Sequence, residues 1–134
     1  MAFIYEIKDR LVAQGVGTYG TNIFIGAKAV IPAGAGPYLS LVETGGSGAA
    51  RTQNGFSTER PSAKLTCRAT TLPAARTMLQ AAYDALGGAD GLHNITLGVW
   101  YLSVTPTQSI TDIGTDEAGR AMVVFNIDAE KQPS

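Results

Sequence analysis

The stretch Ser62–Gly88 constrains the fold more than any other part of the chain, because its hydrophobic period changes once, from two to three-and-a-half. In Ser62–Thr70, Ala63, Leu65, Cys67 and Ala69 alternate with Lys64, Thr66, Arg68 and Thr70. Such alternation predicts a strand with one apolar and one polar face. Ala75, Met78, Leu79, Ala82, Tyr83 and Leu86 then recur at steps of three and four. That spacing predicts a helix with one apolar stripe. Thr71 suits its cap and Pro73 its first turn, where a missing N–H is harmless. Gly87 and Gly88 follow the last stripe residue, where a left-handed stop favours glycine. A strand feeding a helix is therefore the expected centre of the fold.

The flanks supply further elements. Phe3–Gln14 predicts a short helix in which Ile4, Ile7 and Leu11 share a face, with Phe3 flanking it, while Glu6, Asp9 and Arg10 point away from that face. Asn22–Ile31 and Tyr38–Val42 are strand candidates that can pair as a hairpin across the turn Pro32–Pro37. Glu43–Arg60 has no sustained period and is rich in Gly, Ser and Thr. It predicts a long exposed loop, or a hairpin arm turning at Asn54-Gly55. Asn94–Val104 predicts one strand kinked at Gly98, Ser109–Gly114 a short edge strand, and Arg120–Ala129 a long closing strand. The tail Glu130–Ser134 is expected to fray. The sum is a single α+β domain over residues 1–134, a mainly antiparallel sheet with both helices on one face.

At 134 residues such a domain can bury a core without metal or disulfides. The single cysteine, Cys67, fits a reducing compartment. Glu6, Lys8 and Asp9 interrupt any signal-peptide core, and no apolar run is long enough for a membrane span. The chain is expected to be made in the cytoplasm without membrane association.

A search for chemistry assigns no catalytic, cofactor-binding or metal-binding residue. Gly15–Gly20 matches the pattern GxGxxG, but a dinucleotide site needs a strand before the glycines and a helix after them. Here the helix comes first. One His and one Cys, His93 and Cys67, cannot make a metal site, and a catalytic pair would need an accessible thiolate, whereas Cys67 falls on the buried face. Asp112, Asp116 and Glu117 lack calcium-loop spacing and suit a solvated turn. A net charge of −1 announces no nucleic-acid binding.

The charge is nevertheless segregated. Thr44–Arg76 holds Arg51, Arg60, Lys64, Arg68 and Arg76 against Glu59 alone. Asp112–Ser134 holds Asp112, Asp116, Glu117, Asp128 and Glu130 against Arg120 and Lys131. The two segments can pair within one sheet, or between subunits of a closed ring.

The run Gly114-Thr115-Asp116-Glu117-Ala118-Gly119-Arg120, leading through a strand to Phe125-Asn126-Ile127 and preceded by Pro106-Thr107-Gln108-Ser109, resembles the end of small phage minor capsid or tail-completion proteins. That group includes the tail terminators of long-tailed phages. The resemblance implies a non-enzymatic virion protein at the head–tail junction. It implies a ring, typically a hexamer, that caps the tail tube, stops its polymerisation and faces the neck or head-completion protein, with DNA only as passing cargo. No cofactor is implied. A neck adaptor or tail-tube subunit is the alternative within the same particle. From another class, a small ligand-binding domain or enzyme could use the glycine-rich loops; a thermal shift with nucleotides would favour it. Residues expected at a subunit or partner interface are Arg51, Phe56, Arg60, Trp100, Asp116 and Glu117.

Overall fold

The computed structural model describes residues 3–26, 32, 34, 36–45, 47–51 and 57–132, with the backbone alone at 47–51 and 57. Helix α1 (Phe3–Ala13) is followed by strands β1 (Ile23–Ile25), β2 (Tyr38–Glu43), β3 (Ser47–Arg51), β4 (Ser57–Arg60) and β5 (Ser62–Ala69). Helix α2 (Leu72–Ala85) leads through a short 3-10 turn to β6 (Leu92–Leu97), β7 (Val99–Pro106), β8 (Thr111–Thr115) and β9 (Ala121–Lys131). The architecture is α+β, with two α-helices and a mixed, mainly antiparallel sheet among the described residues.

β9 is the strand on which the sheet is assembled. One edge pairs with β5 and, at Lys131, with β4; the other pairs with β7 and β8. Register lines up the core rows Leu41–Leu65–Phe125 and Leu39–Cys67–Val123 across β2, β5 and β9. All six side chains are fully buried. Facing side chains in adjacent strands share one side of a sheet, and α2 covers this side with Ala75, Met78, Leu79, Ala82 and Leu86. Tyr83 meets Phe125 edge-on at 5.3 Å. Helix α1 adds Phe3, Ile4, Ile7 and Leu11 to the same cluster.

The central strand–helix unit agrees with the periodicity. Thr71 is extended, and its Oγ1 accepts from Ala74 N at 3.4 Å. Gly87 has φ +90°, and a Cβ there would lie 2.1 Å from the Gly91 carbonyl oxygen, so the helix must stop on glycine.

Four expectations need correction. β1 and β2 are parallel, not a hairpin. Their connection, residues 26–37, has the length that a parallel crossover needs and a tight turn does not; residues 27–31 of the expected first strand lie outside the described residues. Glu43–Arg60 is not a plain glycine-rich loop: β3 and β4 pair antiparallel within it, as the arm alternative has it. Asn54-Gly55 lies outside the described residues. The arm continues the β2–β5 ladder outward, and Pro61, which has no N–H, separates β4 from β5. Asn94–Val104 is two strands, because Gly98 (φ +87°) reverses the chain where a kink was expected. Finally, β9 runs on to Lys131, whose side chain is fully buried, so Glu130 and Lys131 belong to the sheet rather than to a frayed tail.

Candidate assembly surface

The turn between β8 and β9 gathers the acidic motif. Asp116 Oδ1 accepts from Ala118 N at 3.0 Å and from Arg120 N at 2.9 Å, and Oδ2 receives Arg120 Nε at 2.9 Å. Gly119, at φ +77°, lets the chain turn back, and its N–H donates to the Asp116 carbonyl at 3.0 Å. The Arg120 N–H bond, aided by the Arg120 charge and opposed by burial, holds the Asp116 carboxyl below the usual carboxylate range. Arg68 approaches the same oxygen from β5, its Nε at 3.7 Å. Its Nη2 donates to the Pro32 carbonyl at 2.6 Å, and Arg120 Nη1 to that of Gly34 at 3.3 Å. The motif thus fastens a turn, and the carbonyls of Pro32 and Gly34, onto the sheet.

Of the residues expected at an interface, Asp116 is therefore engaged within its own chain, its side chain 1% exposed. Glu117 projects freely at the tip of the turn. Arg60 is 46% exposed and touches Glu130 at 3.6 Å, an exposed pair of small energetic weight. Trp100 is half-buried, its Nε1 donating to Asn94 Oδ1 at 2.6 Å. The Arg51 side chain and Phe56 lie outside the described residues. The structure does not bring Arg60 to the β8–β9 turn within one chain: β4 meets β9 at Lys131, and the turn enters β9 at Ala121, the opposite end.

One polar centre escaped the sequence reading. Glu6, expected on the outer face of α1, is buried, and Lys131 Nζ reaches its Oε1 at 2.7 Å. Tyr101 OH donates to the same oxygen at 2.6 Å, and Nζ lies 5.3 Å from the Tyr101 ring centroid. A Cβ on Gly98 would fall 2.6 Å from Glu6 Oε2, so the β6–β7 reversal also makes room for this carboxylate. Phe3 and Glu6, three residues apart on the inner side of α1, were the available signal.

The remaining candidates carry no site. Burial pushes the Cys67 thiol up to about 12, which leaves it an unreactive core group. His93 is exposed on β6 and bonded to the Asp90 carbonyl. Gly15–Gly20 lies after α1 and before β1, the reverse of a phosphate loop. Among the described residues no group of three potential metal ligands occurs, and no helix is long and apolar enough to cross a membrane.

A family model described as "Bacteriophage tail terminator protein" matches residues 10–133. The chain belongs to the bacteriophage tail terminator family. It is accordingly a structural protein of the phage tail and not an enzyme, as the C-terminal motif implied. The tail terminator fold is also similar to that of a solved chain from the "Virion of native gene transfer agent (GTA) particle". The TM-score is 0.63 at 17% identity, over 98% of this chain and 96% of that one. No curated protein sequence matches it. The family match begins at Arg10, so it includes Lys131 and Tyr101 but not Glu6.

Proposed function

We propose that this tail terminator closes into a homo-oligomeric ring, a hexamer in the simplest case, that caps the finished tail tube. The ring stops further tube growth and presents its other side to the neck or head-completion protein, while DNA passes through without being read. The observation that carries this reading is the family match over residues 10–133, which takes in every strand and α2. The gene transfer agent chain of similar fold belongs to a virion, which supports placement in an assembled particle.

Two measurements test it together. Sedimentation should give one closed species of defined mass rather than an open series. Added to polymerising tail-tube protein, it should shorten the tubes seen by electron microscopy and sit at one end. Stacking into longer tubes on its own would identify a tube subunit instead. Unchanged tube length would overturn the capping role.

A further inference from the structure

Among the described residues β1, β3, β6 and β8 each pair with one other strand only, and the open edges of β3 and β8 lie at diagonally opposite corners of the sheet. β8 pairs with β9 on one side only, and all five of its residues are exposed, with Ile113 at 45%. It lies against the start of β9, where Thr115 faces Ala121. The β3–β4 arm leaves the sheet past the end of β9, on the other side of that strand. β3 pairs with β4 alone among the described residues, so its outer edge is also free. A free edge is a template for a further strand unless something blocks it.

The two edges differ in charge. Beside β8 the exposed acids are Asp112 and Glu117, because Asp116 is already neutralised by Arg120 and Arg68. The arm carries Arg51 at the end of β3 and Arg60 at the end of β4, with Glu59 the single acid of Thr44–Arg60. Each edge also suits the other in length, five residues in β3 and five in β8. Donor and acceptor at opposite corners make a contact of unlike surfaces, the kind that closes a ring when the rotation permits.

We infer that the β3–β4 arm of one subunit adds to the open edge of β8 in a second copy of this chain, which sets the basic sequence of the arm along the edge that carries Asp112 and Glu117. This rests on the ring reading above and names the contact that would close it. Main-chain pairing supplies the affinity in such strand addition, and the charges set partner and orientation. The bulge between Asp112 and Gly114 limits how far the added strand can run, and so guards the same edge against unspecific pairing.

The test uses the full chain, compared by sedimentation with a variant whose residues 47–57 are replaced by a short glycine–serine link and with Asp112→Lys/Glu117→Lys. Circular dichroism and thermal melting check that both remain folded. Arm replacement should abolish the ring, and the double charge reversal should weaken association about tenfold at low salt, less at high salt. Oxidation of Arg51→Cys/Thr111→Cys should give chains linked between subunits, with buried Cys67 silent. A wild-type chain that stays monomeric would overturn the ring reading itself. A wild-type ring that survives both changes and gives no cross-link would overturn the arm–β8 contact and leave the ring standing. A ring that survives arm replacement but no longer arrests tube growth would assign the arm to the tube protein and likewise overturn the proposal.

Discussion

The two internal charge clusters use the same kinds of side chain for different purposes. Glu6 and Lys131 are 125 residues apart and meet with both side chains buried, and Tyr101 donates to the same carboxylate oxygen. Asp116 and Arg120 are four residues apart and meet in a turn, where backbone N–H groups do as much as the guanidinium. The first cluster joins the helix that opens the chain to the strand that ends it. The second shapes a local reversal and presents Glu117 and β8 outward. The difference teaches where each will be felt: the first in global stability, the second in the geometry of the β8 edge.

The largest expected effect breaks the first cluster. Lys131→Met should cost about 3–5 kcal/mol, because it strands the Glu6 carboxylate without its cation. Replacing all three members, Glu6→Leu, Tyr101→Phe and Lys131→Met, should recover most of that loss, since a well-packed apolar substitute often equals a buried ion pair. Urea denaturation of the two variants checks both statements. A triple variant as unstable as Lys131→Met would mean that the polar network contributes more than its own pairing. Leu79→Ala, in the fully buried stripe of α2, sets the apolar scale at about 2–5 kcal/mol. A loss below about 0.5 kcal/mol, the level of surface changes, would contradict the packing of α2 on β5 and β9.

The same contrast explains what was legible. The strand–helix unit, the Thr71 cap and the Asp116–Gly119 turn depend on residues within a few positions of each other, so period and turn chemistry revealed them. The Glu6–Lys131 pair depends on which strand the α1 helix lies beneath, and no local pattern encodes that. An acid three residues from Phe3 looked like one more solvent-facing charge. The parallel pairing of β1 with β2 failed for a related reason: short apolar runs do not carry their direction. Gly98 was recognised as a break, but a kink and a full reversal have the same composition. In the assembly surface, segregated charge was visible, whereas Asp116 turned out to be held by its own turn, leaving Asp112 and Glu117 as the exposed acids.

A smaller effect sharpens the second cluster. The lowered pKa of Asp116 means that its ionised form is favoured by the fold. Its contribution is therefore fully present above the unfolded carboxylate value of about 4 and is lost as pH falls through the depressed native value. Asp116→Asn should lower the urea midpoint at neutral pH, and the gap from wild type should narrow as acid protonates the native carboxyl. A gap independent of pH would assign the effect to turn geometry alone. The mass of the proposed ring should respond as well, because the turn fixes β8.

The smallest expected effect lies one residue from the largest. Glu130 and Lys131 are neighbours on β9 and point to opposite faces, so Lys131 is buried while Glu130 meets Arg60 at 3.6 Å near solvent. Glu130 also accepts from Thr58 Oγ1 at 3.1 Å, so Glu130→Ala by itself would remove two contacts. A double-mutant cycle with Arg60→Ala subtracts the Thr58 contribution and leaves the ion pair. The coupling should be about 0.2–1 kcal/mol, falling with added salt, as for other exposed pairs. Measured at a dilution where the chain sediments as a monomer, this value describes the isolated subunit. A coupling above about 1.5 kcal/mol there would show that Arg60 is committed to Glu130 within the chain. It would then be a poor partner for Asp112 or Glu117 of a neighbour, and the charge half of the arm–β8 contact would have to rest on Arg51.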